Sequence, residues 1–575
     1  MDAQVNTQQE RISDRLLDNI SRLAVMWADR GHMRRFWGRD ETLWTSSGES
    51  RWLGWLTIIG EQLADSANLR AFADHVKGRY THAVLLGMGG SSLCPEVLRL
   101  CFGKRDGFPD LRVVDSTDPV QVKACEESIQ IESSLFLSAS KSGSTLETSL
   151  LTEYFLDRLT SRVGSRRAAE HFVAITDPGS KLDRNATASG FGRVVHGVPS
   201  IGGRYSALSN FGMVPAAAMG LNVESLLQSA RVMQEACSAA APARANPGLR
   251  LGLILAAATL AGRDKLTFVA SPRVAALGAW IEQLVAESTG KQGKGIVPVE
   301  GEALAAPDSY GHDRLFVSFA LDSEADPAVE ASLGNLYYLG HPVVRIGIRD
   351  VEDIGQEFFR WEVATAVAGS VLGIDPFDQP DVESAKVAAR ELTDAFEREG
   401  SLPPEKPFFE DGRFQLFAAS DYARRLLSGN AAPELGTLLR AHVATARDVD
   451  YIALLAFIRR DARTVAGLER IRETVRASRR NATCVGFGPR FLHSTGQLHK
   501  GGPDKGVFVQ IGCDDGQDLA IPGRGLTFGV VKAAQALGDF NVLTGLGRRA
   551  LRVQIAGDLD EGLVALATAF AEPGQ

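Results

Sequence analysis

The stretch Ser140 to Thr148 (SKSGSTLET) stands between a short apolar run, Ser134 to Ala139, and a segment from Leu146 to Leu159 whose apolar residues recur at helical spacing. A buried strand, a tight polar loop and a helix in that order make an α/β unit, with the loop at the helix N-terminus. There, unpaired backbone N–H groups and the positive end of the dipole favour an anion. The loop hydroxyls add neutral donors and Lys141 adds charge. Taken alone, an ordinary Ser/Thr-capped helix explains the loop as well as a phosphate cradle does. A second unit shifts the balance: His82 to Leu86 reads as a strand, Gly87-Met88-Gly89-Gly90-Ser91-Ser92 as a glycine turn, and Pro95 to Phe102 as a helix. Glycines let backbone approach a ligand closely. Both loops fall at strand C-termini, where open parallel sheets bind ligands.

A chain of 575 residues predicts roughly three or four domains. Its 45% hydrophobic and 23% charged residues are those of a soluble globular protein. A net charge of −8 argues against nucleic acid as a partner, because that trade needs a basic face, yet a local cationic pocket can still hold a small phosphorylated substrate. The cysteines (Cys94, Cys101, Cys125, Cys237, Cys484, Cys513) form no CxxC pair, so neither a disulfide framework nor a zinc ribbon is expected and a reducing cytoplasm fits. The polar N-terminus, MDAQVNTQQERISDRL, has no apolar signal core. The longest apolar run, Leu251 to Ala261, is flanked by Arg250 and Arg263 and falls short of the ~20 residues of a membrane span, so no membrane partner is expected.

In chain order, residues 1–76 show helical periodicity, five tryptophans (Trp27, Trp37, Trp44, Trp52, Trp55) and no strand-like run, which predicts a helical lead-in. Leu111 to Val114 and Phe172 to Thr176 read as strands. In Pro199 to Ser206 (PSIGGRYS), two glycines precede Arg204 and let the backbone aim a fixed cation into a cleft; a surface turn with a solvated arginine is the alternative. A second α/β block follows: helix Pro247 to Ala261, strand Lys265 to Ala270, and helix Val274 to Glu287, which ends in AESTGKQGKG. Strands are expected at Leu315 to Ala320 and Val343 to Ile348, then a helix from Gly355 to Val371 that leads to IDPFDQPDVESAK. Residues 391 to about 440, with Pro403-Pro404-Glu405-Lys406-Pro407, read as a linker with a helical piece. Asp448 to Phe457 is strand-like or helical, Val507 to Ile511 and Leu551 to Ile555 read as strands, and Gly529 to Leu537 as a helix.

GMGGSS, SKSGSTLET, IGGRYS, ESTGK and DPFDQPDVESAK, in this order, resemble the signature segments of phosphoglucose isomerase (glucose-6-phosphate isomerase) over roughly residues 80 to 390. Residues 391–575, with GFGPRFLHSTGQLHKGGPDKGVFVQI, resemble the isomerase half of bacterial transaldolase/phosphoglucose isomerase fusions, without a transaldolase half. The resemblance implies an α/β fold of two sugar-isomerase (SIS) domains, parallel sheets flanked by helices. They would be 77–240 with the phosphate loops and 241–390 with the catalytic glutamate and lysine, between a helical region, 1–76, and a linker with an α/β C-terminal extension, 391–575. The implied activity interconverts glucose 6-phosphate and fructose 6-phosphate by ring opening and proton transfer between C1 and C2 through a cis-enediolate. By motif, Gly90, Ser91, Ser140, Lys141, Ser142 and Thr145 would bind the sugar phosphate, with Glu147, Gly203 and Gln379 lining the site. Glu287 would be the base, Arg204 would stabilise the enediolate charge, and Lys386 would assist ring opening. That division of labour is chemically sound, since a proton alpha to a carbonyl needs a nearby carboxylate and a cation at the developing oxyanion. Neither metal nor cofactor is implied. The alternatives are the same chemistry on another C6-anionic hexose such as mannose 6-phosphate, and a sensor of sugar phosphates without catalysis. Glu287, Arg204 and Lys386 together argue against the sensor, which needs no base.

One departure from the family concerns a histidine that helps open the ring. In the family it lies between the ESxGK and FDQP segments and comes from the partner subunit of a dimer. Here that interval holds only His312 and His341, and the context of His312, YGHDRLF, matches poorly. Leu492 to Gln497 (LHSTGQ) matches better but lies after FDQP. The expectation is that the C-terminal region repeats part of an isomerase domain and delivers His493, within the same chain if the protein is a monomer, otherwise within a homodimer. The alternative is that His493 and His499 merely stabilise a loop.

Overall fold

The computed structural model describes residues 4–428, 433–514 and 516–571, so residues 1–3, 429–432 and 572–575 of the expected terminal regions lie outside the described residues. The expected helical lead-in is corrected at its start. Thr7–Arg11 forms a strand, β1, and only from Asp14 onward do helices and 3-10 turns follow. β1 is polar (TQQER) and alternates exposed with half-buried residues, the pattern of an edge strand with one wet face.

The first sheet comprises β2 (His82–Gly87), β3 (Asp110–Val114), β4 (Ser134–Ala139), β5 (Phe172–Thr176) and β6 (Arg193–His196), all parallel, in the order β3-β2-β4-β5-β6. Its central strands are continuous apolar runs because helices cover both faces. The chain runs from β2 to β3 on one side and returns to β4 on the other, so the crevice between the C-terminal ends of β2 and β4 is a topological switch point. The glycine turn and the serine loop both open there.

The second sheet holds β7 (Lys265–Ala270), β8 (Val297–Val299), β9 (Arg314–Leu321) and β10 (Val343–Ile348), with β1 antiparallel on the outer edge of β10. The helix Ile354–Leu372, buried along nearly its whole length, packs on the helices Pro247–Leu260 and Val223–Ala236. One hydrophobic core runs through these helices and both sheets, and includes Trp27, Trp44 and Trp55 of the N-terminal region.

The third sheet consists of β11 (Phe409–Glu410), β12 (Phe414–Phe417), β13 (Tyr451–Phe457), β14 (Ala482–Phe487), β15 (Gly506–Cys513) and β16 (Arg549–Ile555), in the order β11-β12-β16-β15-β13-β14. β13 to β16 are parallel, whereas β12 is antiparallel to β16. The expected linker is therefore corrected: after the helix Glu383–Glu399 it contributes two strands to this sheet. The third sheet has its own core. It also packs on the other two. Tyr451, Leu455 and Leu498 join Ala286, Val297 and Val299 of the second sheet region, and Phe528 and Val531 join Val84, Phe136 and Tyr154 of the first. Among the described residues no helix is long and apolar enough to cross a membrane.

Candidate active site

The glycine turn after β2 contains the 3-10 turn Gly89–Ser91 and is held against a second turn, Gly203–Tyr205. A Cβ on Gly90 would stand 2.0 Å from the carbonyl oxygen of Gly203, so the two loops can touch only because residue 90 is glycine. Behind the second turn, Tyr205 stacks on Trp55 at 5.3 Å and lies 5.2 Å from Phe377, which meets Trp44 edge-on at 5.2 Å. The N-terminal tryptophans thus buttress the turn that carries Arg204.

The serine loop after β4 folds on its own hydroxyls. Ser140 Oγ accepts from the Gly143 N–H at 3.1 Å and pairs with Thr145 Oγ1 at 3.0 Å, and Ser142 Oγ accepts from the Ser144 N–H at 3.3 Å. Thr145 is the N-cap residue of the helix Leu146–Val163, yet its side chain makes no capping bond. Among the described residues the backbone N–H groups of Lys141, Ser142 and Thr145 donate to nothing. At the C-terminal end of β4 and the start of that helix they form a cluster of donors suited to an anion. Lys141 differs from expectation: its ammonium pairs with Asp177 and donates to Val198 O at 3.2 Å, so its charge braces the loop from behind and only its backbone faces the cradle.

Arg204 is 2% exposed and all five of its N–H donors have protein partners. Nε donates to Ser288 Oγ at 2.8 Å, Nη1 to Gln379 Oε1 at 2.9 Å, and Nη2 to Pro376 O and Asp378 O at 2.8 Å each. Nη1 also lies 3.3 Å from Glu287 Oε1, the longest of the set. The other oxygen, Glu287 Oε2, accepts from Gln283 Nε2 at 3.1 Å, and the same amide donates to the carbonyl of His493 at 2.7 Å. Glu287 and Gln283 are four apart on the helix Leu277–Thr289 and share a face. Lys291, within ESTGK, is buried and donates to Asp378 Oδ1 at 2.6 Å and to the carbonyl of Asp375; burial beside Arg204 lowers its pKa to about 8.

His493 is brought to this group by the third sheet. Its Nε2 lies 3.0 Å from Glu147 Oε1, which also accepts from Gln535 Nε2 at 2.7 Å. Burial by itself would raise the Glu147 carboxyl, but the charge and hydrogen bond of His493, its own backbone N–H and the charge of Lys386 outweigh that, and the net shift is downward. Lys386, near the start of the helix Glu383–Glu399, is 40% exposed and stands 3.6 Å from Glu383. His312 is corrected: it is exposed at the N-terminal end of β9, against His341 and Arg263, on the wrong edge of the second sheet for a site at strand C-termini. His499 is a core residue packed on Tyr451 and Phe508, and burial lowers its pKa. Among the described residues no three His, Cys, Asp or Glu side chains are grouped as metal ligands.

A sequence model of phosphoglucose isomerase matches residues 62–305, the span that carries both loops, Arg204 and Glu287. Glucose-6-phosphate isomerase of Rubrobacter xylanophilus is 29% identical over 353 residues, 53% of this chain and 81% of that protein. The enzyme of that name from Parabacteroides distasonis is 27% identical over 396 residues, 58% of this chain and 85% of its own. Over residues 62–305 the chain is similar to the phosphoglucose isomerase family. The fold agrees: the crystal structure of a glucose-6-phosphate isomerase from Chlamydia trachomatis superposes with a TM-score of 0.57 at 20% identity, covering 69% of this chain and 89% of that one.

Motif reading of the phosphoglucose isomerase segments did not single out Gln283, Ser288, Lys291 or Gln535, which hold the expected residues in place. Gln283 had a local signal, its position one helical turn before Glu287. Gln535 had none: it lies 388 residues from Glu147 and meets it only through the packing of the third sheet on the first.

Proposed function

We propose that the chain interconverts glucose 6-phosphate and fructose 6-phosphate with one complete site per chain. The observation that supports this best is the Glu287 carboxylate, held by Arg204 on one oxygen and by Gln283 on the other, with Gln283 also bonded to His493 and packed against Gly89 of the glycine turn. The phosphate would sit on the free N–H groups of the serine loop with Ser91, Ser140, Ser142 and Thr145. His493, kept in register by Glu147, and Lys386 would move the protons that open the ring. Glu287 would then take the proton from one carbon and return it to the next. As Glu287 becomes neutral, Arg204 loses its ionic partner at the moment negative charge appears on the substrate oxygen. The cation therefore acts on the enediolate without having to move.

On this reading residues 77–240 and 241–390 are the two sugar-isomerase domains, and 391–575 supplies in cis the histidine that a partner subunit would otherwise bring. We place the enzyme in the cytoplasm, where a reducing compartment keeps its six cysteines as free thiols.

The test follows fructose 6-phosphate conversion by coupling the product to NADP reduction with an added dehydrogenase, and follows anomer exchange of glucose 6-phosphate by NMR. Glu287→Gln should lose about 100-fold or more in isomerisation. Anomer exchange, which needs ring opening but no base at carbon, should persist in that variant. A wild-type chain inert toward fructose 6-phosphate would overturn the proposal.

A further inference from the structure

His493 closes the 3-10 turn Arg490–His493, which follows β14. Residues three apart eclipse one another in such a turn, so the Arg490 and His493 side chains leave it on one face. Arg490 nonetheless makes different contacts. Its Nη1 donates to Asp115 Oδ2 at 2.9 Å and its Nη2 to Glu96 Oε2. Both carboxylates are buried in the first sheet region, Glu96 on the helix Leu93–Phe102 and Asp115 just past β3. Asp115 also accepts from Ser92 Oγ at 3.4 Å, and Glu96 from Arg460 Nη1 at 3.0 Å, so the clamp is tied to the end of the glycine turn. The 3-10 turn lands on that loop directly. Gly89 has φ +54°, and a Cβ there would stand 2.9 Å from the His493 carbonyl oxygen.

We propose that Arg490 is the positioning residue of His493: its planar fork, gripped by two carboxylates of the first sheet region, sets where the imidazole three residues on meets Glu147 and the sugar ring. A point-charge ammonium cannot hold two carboxylates in one plane, so arginine is required for full effect. The inference rests on the reading of His493 as the ring-opening group.

The decisive comparison uses two ketoses. Fructose 6-phosphate is mostly a closed furanose, whereas 5-deoxyfructose 6-phosphate lacks the hydroxyl that closes the ring and is always open. Exchange of the C1 hydron with D2O reports the Glu287 step on both. Arg490→Met should slow exchange on fructose 6-phosphate about 100-fold, the cost of a misplaced group. KM for fructose 6-phosphate and the rate on the open analogue should stay near wild type, and Arg490→Lys should recover part of the loss. Asp115→Asn, which removes half the clamp without stranding a charge, should give the same substrate split at smaller size if the methionine variant does not fold. Equal loss on both substrates, or no split in any folded variant, would overturn the proposal. A wild-type chain that exchanges neither substrate would defeat the functional reading itself.

Discussion

Arg204 makes five polar contacts through its five N–H groups, all of them to protein. Such a cation is fixed before substrate arrives, which is what electrostatic stabilisation of a transient charge requires. Glu362 shows the opposite condition. It lies fully buried on the helix Ile354–Leu372, and neither carboxyl oxygen has a hydrogen-bond partner among the described residues. Burial raises its pKa well above the ordinary value of 4.5. A raised carboxyl pKa stabilises the fold fully below the unfolded value and loses that contribution as pH climbs toward the folded value, at up to about 1.4 kcal/mol per pH unit. Glu362→Gln should therefore flatten the fall in stability between pH 5 and pH 8 and raise the melting temperature at pH 8. Calorimetry of both proteins at the two pH values checks this; parallel curves would refute it.

At the level of elements, the helix Gly496–Gly501 is seated in a dent made by a missing side chain. A Cβ on Gly290, three residues after Glu287, would stand 2.3 Å from Leu498 Cα, a backbone atom with no means of turning aside. Gly290→Ala should destabilise by about 1–3 kcal/mol through overpacking, read as a lower urea midpoint. Gly60→Ala, on the helix Ile58–Ala64 with nothing within 4 Å of the added carbon, should be neutral or stabilise by up to about 1 kcal/mol. The elements that could be read beforehand are those with a local signature. β4, β5, β7 and β10 were legible to the residue because short, mostly apolar runs bounded by polar residues or proline leave little choice. β1 and β12 were not, because a strand whose residues alternate between two levels of burial has no such run. The site divides the same way. Glu287, Arg204 and the two loops announce themselves in short motifs, whereas Arg490, Gln535 and the diversion of Lys141 to Asp177 depend on contacts between distant segments. His493 stood between the two: its segment was recognisable, but its place in the site needed the third sheet.

For the whole molecule, the site is built from all three sheets and closed by the third. Buried ion pairs span these boundaries, Lys532 with Asp118 and Arg490 with Glu96, and removing one partner of such a pair is costly. A site completed in cis makes a clear prediction for mixed chains. Co-expressed His493→Ala and Glu287→Gln chains should show no more isomerase activity than the sum of the two alone, and wild-type specific activity should not fall on dilution. Recovery of activity in the mixture would mean that the histidine crosses between chains. The pairing of β1 with β10 has a further consequence, for the chain as it is made. Asn6 bonds to Gln356, 350 residues later. At the roughly 5–20 residues per second of synthesis, the amino-terminal strand waits about 20 to 70 s on the ribosome with its edge unpaired. The contacts of Glu147 wait longer still, until His493 and Gln535 have emerged, so a nascent chain released early carries both loops and Glu287 without the histidine that meets them.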